Sequence, residues 1–452
     1  MSRALAAAVA LAWLTASASD LQSARSSAED PSDRAAQDEL LAAKARAFRA
    51  AIVDRHLAAE GFLLYSVYLD VVHEQLANGT YRALGDTPTY TGLLVASDCA
   101  RADVETGAAR AEALADADRA LAGLEILMRV TGRRGLLARG IQRRPKPADS
   151  QPDNIWFAGA PGYENYVWRG DVSMDQYANG LLPALSACRE YFPERVRALA
   201  RDVAELLLET RMRLIDPDGR VTKYGELGPL AGWGFNPIAK LTGYAVFALA
   251  AELDPDPRFA LRRDELRDRD RVVASSTITN LRILGMTAYS NDMMAWNLYR
   301  VLVPLAERTQ DPALPDLRRG MQRTWRRVRP YGNAYFAVLF CRLAPESCDH
   351  AALANAREFL LRFPLEKRRL ATSPQLAELP RAFLPSRKLH AQAREPVPIE
   401  LRPAESFEWK GSPYRIDAAT QPTEEYTGTD YLAAYWLYRG LDPARVSAGE
   451  RP

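Results

Sequence analysis

Little in this chain marks a metalloprotein, a redox protein or a membrane span. Only 4 histidines and 4 cysteines occur in 452 residues, with no CxxC or HExxH spacing, so no metal, haem or other cofactor is expected. His56, His73, His350 and His390 are scattered rather than clustered. An excess of one charge is missing too: the net charge is +2, which removes a global electrostatic drive toward nucleic acid. No run approaches the roughly 20 apolar residues of a spanning helix, and no Gly/Ser-rich linker divides the chain. Alternating, strand-like patterns are confined to short runs such as 220–224 and 407–416. With 48% hydrophobic and 26% charged residues, the chain can still bury a large core.

What is present is a recurrence. Six times an aromatic residue and a cluster of Gly, Asn, Asp or Thr open an apolar, helix-length segment: Tyr90-Thr91-Gly92, Trp168-Arg169-Gly170-Asp171, Trp233-Gly234-Phe235-Asn236, Tyr289-Ser290-Asn291-Asp292, Tyr331-Gly332-Asn333 and Tyr426-Thr427-Gly428-Thr429-Asp430. Between most of them lies a second, more charged helical segment. Hairpins that cannot bury an apolar face alone must stack, and six of them cover their own ends by closing into a ring. The expected fold is all-α, an (α/α)6 toroid with small β-hairpin insertions, filling 39–440 as a single domain. Its sixth outer helix would be the N-terminal one at 38–56, or be lost.

Residues 1–18 read as an export signal: Met1-Ser2-Arg3, an apolar stretch at 4–14, then Ala16-Ser17-Ala18 as the cleavage site. A polar spacer expected to be disordered follows at 19–38, and 441–452 reads as a flexible tail. The mature protein is therefore expected in the periplasm or outside the cell. Cys341 and Cys348 flank a Pro-containing turn and are expected to bridge it, whereas Cys99 and Cys188 read as small buried residues.

Connection lengths locate the candidate site. Inner-to-outer links are brief, while outer-to-inner links are mostly long, as at 131–169, 214–235 and 363–426. All six inner N-termini and the long links would then gather at one mouth, where unpaired backbone N–H groups favour carboxylates or an anionic ligand. The 363–427 link, with nine prolines from Pro364 to Pro422, is too long for a mere connector and reads as a rim or lid.

Flat rings beside dense hydrogen-bonding groups suit a sugar. The substrate-binding candidates are Trp168, Arg169, Tyr177, Trp233, Asn236, Tyr289, Asn291, Tyr331, Asn333 and Tyr426. The same residue types also serve as hydrophobic staples and N-caps. The densest stretch is 168–177, where Asp171 and Asp175 are four apart and, on one helix, would share a face. Two close carboxylates separate their pKa values, the division of labour that glycoside hydrolysis needs. Asp171 or Asp175 is the candidate acid, and Asp292 or Asp430, at equivalent helix starts, the candidate base. A basic patch of Arg133, Arg134, Arg139, Arg143 and Arg144 either steers an acidic sugar or is a solvated face. Asp216-Pro217-Asp218-Gly219 lacks the further ligands of a calcium loop and reads as a turn.

Six hairpins with aromatic, Asp-bearing inner starts resemble the six-hairpin glycosidase-like proteins, which include unsaturated glucuronyl hydrolases, sugar epimerases and toroidal polysaccharide lyases. The resemblance spans roughly 40–440 and is architectural, so it implies a toroid and a carbohydrate ligand but no residue roles. Two classes stay open. One is a carbohydrate-active enzyme: a hydrolase of an oligo- or polysaccharide, or a lyase or epimerase drawing on Tyr177, Tyr289 and Asn291. The other is a non-catalytic exported toroid that binds a glycan, lipid or protein.

Overall fold

From Ile238 to Ala250 every residue is buried. A helix apolar all round must sit inside, and here it lies in the inner layer of a ring. This computed structural model describes residues 31–81, 84–145, 155–232, 236–279, 288–369, 376, 378–382, 392–402, 404, 407–416 and 421–441. The chain divides into two compact units, Met1–Lys44 and Ala45–Pro452. In the first, residues 31–44 are the opening turns of helix α1 (Pro31–Ala51). Residues 31–38, expected in a polar spacer, are thus helical: Asp33 lies in the first turn, where the dipole favours an acid.

The second unit holds the ring. The helices that build it are α2 (Thr87–Val104), α3 (Gly107–Arg129), α4 (Leu182–Cys188), α5 (Pro193–Glu209), α6 (Pro237–Leu253), α7 (Pro257–Asp264), α8 (Tyr289–Thr309), α9 (Leu314–Val328), α10 (Ala334–Leu343), α11 (His350–Arg362) and α12 (Thr429–Arg439), with short helical segments at Val72–Asn78 and Val272–Ser275 beside them. The even-numbered helices touch in the circular order α2, α4, α6, α8, α10, α12 and back to α2. Each odd-numbered helix from α3 to α11 packs on the even-numbered one before it. The last seven residues of α1 complete the outer layer: Phe48 lies 5.1 Å from Tyr431 of α12 and 5.9 Å from Phe363.

Sequence accounts for the layering. In α9 the buried residues Leu317, Gly320, Met321, Thr324, Trp325 and Val328 recur at helical spacing while arginines fill the other side, so it lies outside. Trp325 stacks on Phe340 of α10 at 4.7 Å, and Trp296 of α8 stacks on Phe336 at 5.7 Å. Asn236 and Asn333 cap α6 and α10 by accepting from the backbone N–H of Ala239 at 3.0 Å and of Phe336 at 3.1 Å. A buried polar column crosses the interior: Asn297 donates to Asn179 at 3.0 Å, and the Tyr335 hydroxyl donates to Asn297 at 2.7 Å.

The strands are short. They form the antiparallel sheets β1–β10–β7 (Ser66–Tyr68, Gln421–Tyr426, Arg368–Arg369) and β2–β4–β3 (Gly140–Arg143, Tyr166–Arg169, Trp156–Ala158). The remaining pairs are β5–β6 (Arg213–Ile215, Val221–Glu226) and β8–β9 (Arg381–Ala382, Gln392–Ala393). Asp216 to Gly219 is the turn of the β5–β6 hairpin, with Gly219 at φ +85 donating to the Asp216 carbonyl at 2.9 Å.

Both cysteine pairs are bridged, Cys341 to Cys348 and Cys99 to Cys188. The second corrects the reading of Cys99 and Cys188 as merely small and buried. The two lie on α2 and α4, which the ring makes neighbours with Cα atoms 5.5 Å apart.

Candidate functional site

Asp86 stands at the N-cap position of α2, yet its side chain does not cap the helix. It is spent on other partners. Lys410 donates to Oδ2 at 3.0 Å, Gln176 donates to Oδ1 at 3.2 Å, and Arg139 approaches Oδ1 at 3.4 Å. Gln176 in turn accepts from the Ser173 hydroxyl at 3.0 Å, and the oxygen of that hydroxyl also lies against the Asp175 carboxyl. Asp86, Gln176, Ser173 and Asp175 therefore form one chain.

Close backbone approach builds this junction. The π-helical turns Gln176–Leu181 lead into α4 and cross α2 where Gly92 meets Gly180. A Cβ on Gly92 would lie 2.2 Å from the Gly180 carbonyl oxygen, and one on Gly180 would lie 2.3 Å from that of Pro88. Only glycines permit the crossing, which brings the start of α2 against Asp175; Thr89 donates to the Asp175 carbonyl at 3.5 Å. A π turn is a common device for re-aiming side chains at sites.

The long C-terminal link reaches the same place. Its turn at 408–410 lies across the inner-helix starts: the Glu408 N–H donates to Asp430 at 2.9 Å, the Trp409 indole donates to the Asp430 carbonyl at 2.8 Å, and Asn333 reaches the Trp409 carbonyl at 3.5 Å. The same turn packs on α8. Beneath it Phe407 packs on Tyr90 and Tyr335, and Tyr65 stacks on Tyr90 at 5.3 Å. The inner N-termini thus meet at one mouth, partly roofed by this link.

Electrostatics set the two carboxylates apart. Burial pushes Asp86 upward, but the charges of Lys410 and Arg139 and the bonds from Lys410 and Gln176 outweigh it and hold the group below its ordinary range. Asp175 goes the other way: burial and then the negative charge of Asp86 raise it, and Ser173, Arg139 and Lys410 offset this only in part. Lys410 is held protonated above the usual lysine range by the Tyr90 phenol and Asp86, against burial. Burial, then Asp86, pushes the Tyr65 phenol up to about 12. Burial, then Arg139, lowers Arg169, whose guanidinium donates to the Leu84 carbonyl at 2.5 Å.

The remaining candidates have other surroundings. Asp171 is not on the helix with Asp175: it follows β4 at φ 58, its N–H donates to Asp216 at 3.0 Å, and its carboxylate accepts from the Lys223 N–H at 2.9 Å. The shared helix face is therefore corrected, because the β5–β6 hairpin claims Asp171 before the helix begins. Its carbonyl still meets Arg139 at 3.4 Å. Asp292 is wholly buried in an ion pair with Arg327, and Asp430 in one with Lys367 at 2.7 Å. Trp168 is buried against Phe157 at 4.8 Å and donates to the Ala158 carbonyl, and Tyr177 is buried with its hydroxyl donating to the Gly135 carbonyl at 2.9 Å. Tyr289 and Tyr331 meet at 5.5 Å and share Tyr414 as a neighbour. Asn291 lies half-buried in the first turn of α8, and Tyr426 is buried in β10. Trp233 lies outside the described residues. Asp86 and Lys410 were not among the sequence candidates, and Ser173 and Gln176 entered only as members of the dense stretch 168–177, without a role. The one local signal was Asp86 before Thr87-Pro88, an N-cap followed by proline. Among the described residues no cluster of three or more His, Cys, Asp or Glu is arranged to hold a metal ion.

No family model matches this sequence, and no curated protein matches it. Among solved structures the chain is similar to a glycoside hydrolase family 76 mannosidase from Bacteroides thetaiotaomicron, at 10% identity and a TM-score of 0.47, over 91% of this chain and 99% of that one. The assignment of a helical ring rests on the closed circle of helix contacts described above, not on this likeness. No described helix is long and apolar enough to cross a membrane.

Proposed function

We propose that the protein is an exported carbohydrate-active enzyme that hydrolyses a glycosidic bond at the mouth of the ring, with Asp175 as general acid and Asp86 as its ionised partner. The observation that carries this reading is geometric: two partly exposed carboxylates joined through Gln176 and Ser173 at the mouth, with Lys410 and Arg139 both on Asp86, an arrangement that displaces the two in opposite directions. Asp175, displaced upward, is the one of the pair suited to give a proton to the glycosidic oxygen as the bond to the anomeric carbon breaks. Asp86 stays charged, faces the positive character that develops at that carbon and takes the proton of the incoming water. The products are a new reducing end and a released alcohol. Asp86 takes the role first considered for Asp292 and Asp430, because those two are neutralised one-to-one in buried pairs.

Arg169 favours a sugar that carries a carboxylate. Among the described residues no carboxylate lies within ion-pair distance of it, and its guanidinium sits beside Arg139 near the paired aspartates. Two disulfides suit an oxidising compartment, in keeping with export. Incubating the protein with a panel of neutral and uronate-containing oligosaccharides, with reducing ends and ultraviolet absorbance both followed, tests the proposal. Reducing ends without absorbance are expected; an absorbing double bond would replace hydrolysis by elimination.

A second reading has its own observation. Lys410 already bonds to Asp86, and the 408–410 turn roofs the mouth, an arrangement suited to a binder that never turns over. Retention of a glycan with neither signal would favour it.

A further inference from the structure

At the opposite end of the ring the inner helices α2, α4, α8, α10 and α12 end around a cavity of about 350 Å³. We propose that this basal cavity binds a small molecule through an oxyanion group, phosphate or carboxylate, held between Arg300 and Arg342.

The cavity carries uncompensated positive charge. Seven charged side chains line the cavity: Arg189, Arg300, Arg308 and Arg342 against Asp103, Glu190 and Glu307. Most are already paired. Arg189 holds Glu190 at 2.7 Å, Arg308 turns outward to Glu252 at 2.8 Å, and Glu307 is taken by Arg318 at 2.8 Å. Two guanidinium groups then face one carboxylate. That carboxylate, Asp103, is 3.9 Å from Arg342 and already accepts from the Tyr191 hydroxyl at 2.7 Å. Among the described residues no carboxylate lies within ion-pair distance of Arg300.

The helix ends do not consume these cations. Arg300 donates to the carbonyl of Ala96, within α2, at 3.1 Å, and Arg342 reaches that of Gly440, at the C-terminus of α12 where the dipole favours positive charge, at 3.5 Å. Arg300 also reaches the Tyr335 hydroxyl at 3.4 Å, at the foot of the buried polar column. A guanidinium carries five N–H donors, so several remain for a ligand. Arg342 keeps its side chain 37% exposed at the cavity, and partial burial and then the charge of Arg300 lower it, so two like charges face the same space, a condition an anion between them would relieve. The volume lies at the small end of small-molecule sites, and the planar fork of arginine matches phosphate and carboxylate oxygens.

Titration calorimetry on the full chain, with sodium phosphate and separately with citrate against sodium chloride at matched ionic strength, tests this. Saturable binding of phosphate or citrate is expected, and which of the two binds more tightly identifies the headgroup. Arg342→Gln should weaken it by about tenfold or more, since it removes a charge-assisted contact. Asp103→Asn should strengthen it several-fold, a gain that misfolding cannot mimic. Heats no different from chloride, or affinities unchanged in both variants, would overturn the proposal.

Discussion

The start of α2 with the turn before α4, and the starts of α8 and α12, are built from the same materials. Each places an aspartate where inner-helix N–H groups and the helix dipole favour negative charge. At α8 and α12 the charge is closed off: Asp292 meets Arg327, and Asp430 meets Lys367 and accepts two backbone N–H groups, with no solvent access. At α2 and α4 the cations are shared unevenly. Lys410 and Arg139 both attend Asp86, whose side chain is 22% exposed, and Asp175 is left with a hydroxyl and a like charge nearby. A carboxylate becomes chemically poised when it stays reachable and its compensating charge has gone to a neighbour.

The largest effect should separate the two pairs by activity. Asp175→Asn should lower turnover by about 10²–10⁴-fold, the usual worth of general acid catalysis, and leave the fold intact. Asp430→Asn should not act through chemistry, so turnover per folded molecule would be retained. If the two variants lost turnover equally, the contrast would collapse. The pH dependence has a definite sign. The folded pKa of Asp175 is raised above its ordinary 3.8, so its ionisation costs stability, which falls as pH rises from the unfolded value through the folded one. Asp86 is depressed: its contribution is present above 3.8 and lost as pH falls through its folded value. Asp175→Asn should therefore flatten the loss of stability on the neutral side of that window, as followed by thermal melts across pH.

Stability should separate the pairs the other way. Lys367→Met leaves a buried carboxylate uncompensated and should cost about 3–5 kcal/mol in chemical denaturation. A cost below about 1 kcal/mol would show that Asp430 is solvated or protonated. Next comes the link between α2 and α4: replacing Cys99 and Cys188 by alanine opens a loop of 89 residues and should cost about 2–4 kcal/mol, more than the same change at Cys341 and Cys348, 7 apart. Equal costs would mean that the denatured chain already holds α2 near α4.

The smallest effect belongs to Asp171. Its carboxylate meets a backbone N–H and the 40%-exposed Arg220, and asparagine tolerates its positive φ. Asp171→Asn should change stability by less than about 1 kcal/mol and leave turnover within about tenfold. A loss as large as that of Asp175→Asn would return Asp171 to the reacting pair.

Much of the ring was legible in the sequence. The apolar segments from 237, 292, 333 and 429 became α6, α8, α10 and α12, because an all-round apolar stretch can only be an inner helix. The aromatic openings were less regular than they read: Tyr90 lies inside α2, Trp168 is in β4 and Tyr426 in β10, since local chemistry does not say whether a ring precedes a helix, joins it or pairs in a sheet. Asp175 was found from its neighbours in sequence. Asp86 was not, because nothing near it names its partners.

Periodicity, capping residues and prolines thus determined which segments are helices, which of them lie inside and at which end the long links gather, since these follow from interactions within a few residues. The pairing of carboxylates and cations was decided only by closure of the ring. Lys410 reaches Asp86 across 324 residues, and Asp175 meets Asp86 through the Gly92–Gly180 crossing. A pKa depends on charges a few ångströms away in space, and the chain brings those charges together only after its helices have packed.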